Sequence, residues 1–203
     1  MPVTRAPRPR RLARWTRTER AVHWVHATAF CILLGSGLCL YLPSLSEIVS
    51  RRPLLKHIHL YTALAWAVAL VLIVVAGNRR ALLRTAHEVD LLGVAGRMNR
   101  RQKLNTIITA AFAILFAVSG FDLWYGERDT RFRFANALLM HDWLMYISFF
   151  LFLGHLYYAL ILPSTRHSLS GMTRGWVRED WARKRHPAWV EELRAADENS
   201  SLR

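Results

Sequence analysis

Four stretches of the chain are apolar nearly throughout: Ala21–Leu42, Ile58–Ala76, Leu104–Tyr125 and Leu138–Leu162. Each is close to the roughly 17–25 residues that a membrane-spanning helix needs, and none alternates as a strand would. The pattern predicts an all-α integral membrane four-helix bundle. Pro43 and Pro163 close the first and last runs, and the connections are too short for a separate soluble domain. Three segments follow: an arm over 1–20, a four-span domain over 21–162 and a tail over 163–203. The arm, rich in Arg and Pro, is expected to be irregular until about Arg17, with a short surface helix in Ser44–Lys56. The tail turns acidic and is expected to be disordered after Glu192. No repeats or low-complexity tracts break the pattern.

Charge orients the bundle. The chain carries a formal charge of +14. The arm, Gly77–Lys103 and the tail from Pro163 together hold 22 Lys and Arg, against 6 in the two other connections. Cytoplasmic loops carry the excess of basic residues, so both termini are expected in the cytoplasm. The same distribution argues against nucleic acid as a partner, because the cations track the membrane sides. The basic arm runs straight into a full-length span with no cleavage pattern, so no removable signal is expected. Cys31 and Cys39 lie eight residues apart in one helix, about 12 Å along its axis, too far for a disulfide.

Polar side chains within a bilayer are costly and tend to be functional. The fourth run holds His141 and His155, 14 residues apart. Fourteen steps of about 100° nearly close four turns, so both project from one face, roughly 21 Å apart. Topology then assigns depths. His59 and His141 share the outer level, and His23 and His155 share the inner one. Two facing imidazoles at each level are what bis-histidine ligation of a b-type haem requires, so the chain reads as a holder of two stacked haems. His26 is the nearest rival at the inner level. His57 rivals His59 but points about 200° away from it. His87, His167 and His186 read as interfacial residues, as do His26 and His57. Asp142 is placed either to tune His141 or to reach outward. Gly35 and Gly37 allow close approach of a helix or of a flat ring, with neither favoured.

ERAVHW at Glu19–Trp24, HLYTALAWAVAL from His59, MNRRQK at Met98–Lys103, HDW and GHLYYA around His141 and His155, and GMTRGWVREDWARKRHPAW at Gly171–Trp189 carry a resemblance. With them the chain resembles the cytochrome b (gamma) subunit of membrane-bound respiratory formate dehydrogenases over about residues 15–195. The resemblance implies haem ligands at His23, His59, His141 and His155, in the pairing read from depth. It also implies a cytoplasmic quinone pocket beside the inner haem, with Asn99 and Gln102 as its polar residues. Here the chain departs from the family by carrying Arg100 and Arg101 between them. Asn99–Lys103 also reads as a helix cap followed by positive-inside charge.

The resemblance further implies a non-catalytic electron-transfer subunit of a bacterial inner-membrane formate:quinone oxidoreductase. Its partners would be an iron–sulfur (beta) subunit and a periplasmic molybdenum or tungsten (alpha) subunit, with two haem b and exchangeable menaquinone or ubiquinone. A higher oligomer of that complex is compatible with it. Trp176, Trp181 and His186 read either as closing the quinone pocket or as interfacial anchors. Two other readings stand beside this one: a cytochrome b anchor of a hydrogenase or another molybdoenzyme, and a haem-free anchor or transporter using the histidines as proton relays or substrate ligands.

Overall fold

The structure, a computed structural model, describes residues 10–49, 51–91, 96–132 and 134–201. Residues 1–9, where the arm is expected to be irregular, lie outside the described residues. Among the described residues, four helices are long and apolar enough to cross a membrane. They are α1 (Arg17–Tyr41), α3 (Arg52–Ala76), α5 (Arg100–Tyr125) and α6 (Ala137–Leu156), the last extended by a π-helical turn over Tyr157–Ile161.

Local chemistry sets their ends. Thr16 caps α1, accepting from the Glu19 N–H, while Glu19 reaches back to the Thr16 N–H in a capping box. Asn99 and Gln102 do the same for α5. These boxes satisfy amides that the first helical turn leaves without intrahelical partners. α3 starts at Arg52–Pro53, where a missing N–H costs nothing, and stops at Gly77. α6 starts after Asn136, whose φ of 69° lies in the left-handed region that Asn tolerates better than most residues. The expected surface helix between the first two spans is present as α2 (Pro43–Val49). The return segment holds α4 (Arg79–Glu88), capped by Asn78.

α1 packs chiefly on α3, and α5 on α6, while α1 also meets α6 and joins the two pairs. Val68, Val71, Leu72, Val75, Ile114 and Phe150 are exposed. Such an outer surface suits lipid, because the helices satisfy their own backbone hydrogen bonds.

One end of the bundle carries a folded cap, which corrects two expectations. The arm is not irregular up to Arg17: β1 (Arg11–Ala13) pairs antiparallel with β2 (Trp176–Arg178), with Leu12 opposite Val177. The tail is not disordered after Glu192: α9 (Pro187–Ser201) remains helical there, following α7 (Leu169–Arg174) and α8 (Glu179–Arg185). Leu12, Val177, Ala182, Trp189 and Val190 form the cap's core, with Trp181 and Leu193 packed on it. The acidic stretch folds because Trp189, Val190 and Leu193 lie on one helical face that this core covers.

Charged groups tie the cap to the spans. Arg97 Nη1 donates to the Arg14 carbonyl at 2.7 Å, and Arg14 Nη2 donates to the Arg97 carbonyl at 2.7 Å. Arg97 also pairs with Glu19 on α1 and Glu88 on α4. Trp24 Nε1 donates to the Met172 carbonyl at 3.0 Å, which seats α7 against the start of α1.

Candidate functional site

The four histidines predicted as ligands meet in the predicted pairs. His59 on α3 faces His141 on α6 with ring centroids 6.2 Å apart. His23 on α1 faces His155 on α6 with centroids also 6.2 Å apart. Imidazole nitrogens sit about 2 Å from a coordinated metal, and each ring centroid lies about 1.1 Å behind its nitrogen. Two rings on opposite sides of one metal ion are then separated by about 6.2 Å between centroids. Both pairs match that spacing. His59 and His141 each lie near the start of their helix, at the end opposite the cap. His23 and His155 lie at the cap end, so α6 supplies one member to each level.

The donor set narrows the chemistry. Among the described residues, no three His, Cys, Asp or Glu side chains gather to hold a metal ion. Two opposed imidazoles alone suit a metal that arrives with its equatorial ligands, as haem iron does.

The two levels differ in what holds the rings. Ser36 Oγ on α1 lies 2.9 Å from His59 Nδ1, and Ser119 Oγ on α5 lies 2.8 Å from His141 Nδ1. Each serine precedes a glycine. A Cβ on Gly37 would lie 3.5 Å from His59 Cε1, and one on Gly120 would lie 3.6 Å from His141 Cε1, so each ring rests on helix backbone. His23 instead meets the edge of Trp24, with centroids 5.2 Å apart.

Asn99 and Gln102 are half-buried at the cap end, at the start of α5. The Asn99 Oδ1 accepts from the Gln102 N–H at 3.0 Å. The Gln102 Oε1 accepts from the Asn99 N–H at 3.1 Å and from Arg14 Nη2 at 3.2 Å. Both amide oxygens are therefore engaged in the cap. Among the described residues, no hydrogen bond joins either side chain to His155.

A model of the prokaryotic cytochrome b561 family matches residues 14–175, which takes in all four spans and all four histidines. The chain belongs to the prokaryotic cytochrome b561 family. It is an integral membrane protein, and membership implies that it binds haem b. It is 28% identical to the Escherichia coli K12 protein named formate dehydrogenase, cytochrome b556(fdo) subunit, over 94% of this chain and 97% of that one. It is 24% identical to the Haemophilus influenzae formate dehydrogenase, cytochrome b556 subunit, over 90% and 83%. It is also 24% identical to the nitrate-inducible cytochrome b556(Fdn) subunit of Escherichia coli K12, over 88% and 90%.

For this cytochrome b561, the rival histidines fall away from the paired positions. His57 is exposed and stacks on Tyr61 at 5.8 Å. His26 lies beside Trp66 of α3, with centroids 5.9 Å apart. His186 departs from its interfacial reading, because it is buried in the cap, 3.2 Å from Arg14 Nη2 and among Trp181 and Trp189. Reading by residue type missed Ser36, Ser119 and Arg14. A serine in a spanning helix ordinarily bonds its own backbone, and an arginine in a basic arm ordinarily faces water or lipid headgroups. For the serines the available signal was the Ser-Gly pair repeated in the first and third spans.

Proposed function

We propose that this chain is the dihaem cytochrome b subunit of a membrane-bound formate dehydrogenase, carrying electrons from an iron–sulfur partner across the membrane to quinone. The observation that carries the proposal is the match of both histidine pairs, 6.2 Å apart at two levels of one bundle, to opposed axial ligation. The names of the relatives, which align with nearly the whole chain, supply the partner enzyme.

His59 and His141 hold the outer haem and His23 and His155 the inner one, and the two b haems together provide one-electron carriers through an insulating bilayer. Two imidazoles at each level would hold a haem from both sides, and the haems so held would supply one-electron transfer rather than oxygen or substrate chemistry. The excess of basic residues at the cap end supports a cytoplasmic position for that end and both termini, in the bacterial inner membrane that the reading implies. The outer level then faces the periplasmic iron–sulfur and molybdenum or tungsten subunits.

Quinone reduction belongs at the cap end, where Asn99 and Gln102 stand. Their oxygens are occupied, and their NH₂ groups have no partner among the described residues. Two amide donors held by a helix cap suit the carbonyl oxygens of a quinone, menaquinone or ubiquinone. Protons drawn from the cytoplasm for quinol, together with electrons moving inward, make the half-reaction electrogenic.

A dithionite-reduced spectrum of the purified protein tests the reading. Two b-type components are expected, and His141→Ala and His155→Ala are expected to remove different ones. Loss of the same component in both variants, or absence of a b-type α-band, overturns it. Co-purification with iron–sulfur and molybdoenzyme subunits that oxidise formate tests the partner. A hydrogenase in their place redirects it.

A further inference from the structure

Each outer ligand faces a serine hydroxyl, His59 with the Leu33 carbonyl beside it as well, and the inner ligands do not. Ser36 Oγ donates to the Ile32 carbonyl at 2.7 Å, and Ser119 Oγ to the Leu115 carbonyl at 2.8 Å, each four residues back in its own helix. A hydroxyl has one hydrogen, so each Oγ faces its histidine as an acceptor. This arrangement fits a ring that carries its proton on Nδ1, the tautomer that leaves the Nε2 lone pair for iron. Ser36 is 7% exposed and Ser119 is fully buried, so water does not compete for these bonds. The two serines come from different helices, α1 for His59 and α5 for His141, and the geometry agrees within 0.1 Å. Among the described residues, neither ring of His23 or His155 has a hydrogen-bond partner.

From this asymmetry we infer that Ser36 and Ser119 are positioning residues that hold the outer haem at the lower midpoint potential of the two. The inference rests on the dihaem reading above. An imidazole that donates its Nδ1 hydrogen becomes a more basic ligand at Nε2. A more basic axial ligand favours the ferric over the ferrous state, and so lowers the potential. With both outer ligands treated this way, the electron passes downhill from outer to inner level, which is the direction formate oxidation outside and quinone reduction inside require. The Ser-Gly sequence serves both needs: the hydroxyl fixes the ring, and the neighbouring glycine leaves it room.

A potentiometric titration of the intact haem-loaded protein, followed at the α-band, tests this. His141→Ala and His155→Ala identify the outer and inner components. Ser36→Ala and Ser119→Ala are each expected to raise the outer component's potential and leave the inner one in place, and the double variant is expected to raise it further. Ser36→Thr and Ser119→Thr, which keep the hydroxyl, are expected to stay at the parent value. Where an alanine chain fails to retain the outer haem, Ser→Cys at the same position carries the test: the weaker sulfur acceptor is expected to raise the potential. An outer potential that stays put, or an equal shift of both components, overturns the inference and leaves the dihaem reading standing. A parent protein with a single b component overturns both.

Discussion

Arg97 Nη1 lies 3.1 Å from Glu19 Oε1, and their side chains are only 3% and 4% exposed. This ion pair joins the segment before α5 to the start of α1. Glu19 is further held by the Thr16 N–H at 2.7 Å and by the Thr85 hydroxyl. Arg97 also makes two bonds of 2.9 Å to Glu88. Removing one partner of a buried pair leaves an uncompensated charge and costs about 3–5 kcal/mol. Arg97→Met is therefore expected to lower the thermal midpoint in detergent strongly. Arg97→Met with Glu19→Gln is expected to cost less than the two single changes added together, because they share one interaction. Strict additivity would show that the pair does not couple the two segments.

His186 links the cap's stability to pH. Burial first, and then the Arg14 guanidinium, push its pKa down to about 4. Burial and the nearby Arg97 charge bring Arg14 itself down to about 10, so it stays cationic at neutral pH. In the unfolded chain a histidine titrates near about 6.5. Between these values the unfolded state binds the proton and the folded state does not, so stability falls as pH falls. The contribution is complete above about pH 6.5, declines below it and is gone near pH 4. Thermal midpoints across that window are expected to fall toward acid in the parent and to flatten in His186→Gln. A parallel acid slope in the variant would assign the effect to other groups.

Asn99 both caps α5 and stands in the proposed quinone pocket, and these roles separate. Asn99→Asp keeps the acceptor oxygen for the Gln102 N–H and removes the NH₂ group, whereas Asn99→Ala loses both. An Asn or Asp cap replaced by Ala costs about 0.5–2 kcal/mol. Asn99→Asp is thus expected to hold the thermal midpoint and to cut quinone reduction by the complex, with electron entry to the haems unchanged. Normal quinone turnover in Asn99→Asp would leave Asn99 as a helix cap and nothing more.

The spans and the pairing were legible in the sequence because helical geometry is local and a bilayer imposes length. His141 and His155 share a face by period alone, and His57 is separated from His59 by about 200° of the same helix. The cap was not legible. Arg11–Ala13 is too short to show an alternating pattern, and it becomes a strand only against Trp176–Arg178, some 160 residues later. Arg14 counted in the sequence only toward the charge of the basic arm, and His186 read as interfacial or as closing the quinone pocket. Their burial follows from contacts among three segments distant in the chain. Ser36 and Ser119 look like ordinary back-bonding serines and do bond back; their second role appears only when the neighbouring helix is in place.

The cap's core rests on one large side chain. Trp189 is 4% exposed and packs with Leu12, Val177, Ala182 and Val190, which come from the arm, β2, α8 and α9. Replacing a buried Trp by Ala costs about 3–5 kcal/mol. The strand pair that Trp189 supports is only three residues long, so it has little independent stability. Trp189→Ala is therefore expected to release the arm and the tail together while the haem-holding spans persist, because both histidine pairs lie within the helices. Limited trypsin digestion reads this directly: faster cleavage at Arg10–Arg14 and at Arg178–Arg185, with an unchanged reduced α-band. Loss of the α-band at the same rate as cleavage would show that the cap and the bundle fold as one unit.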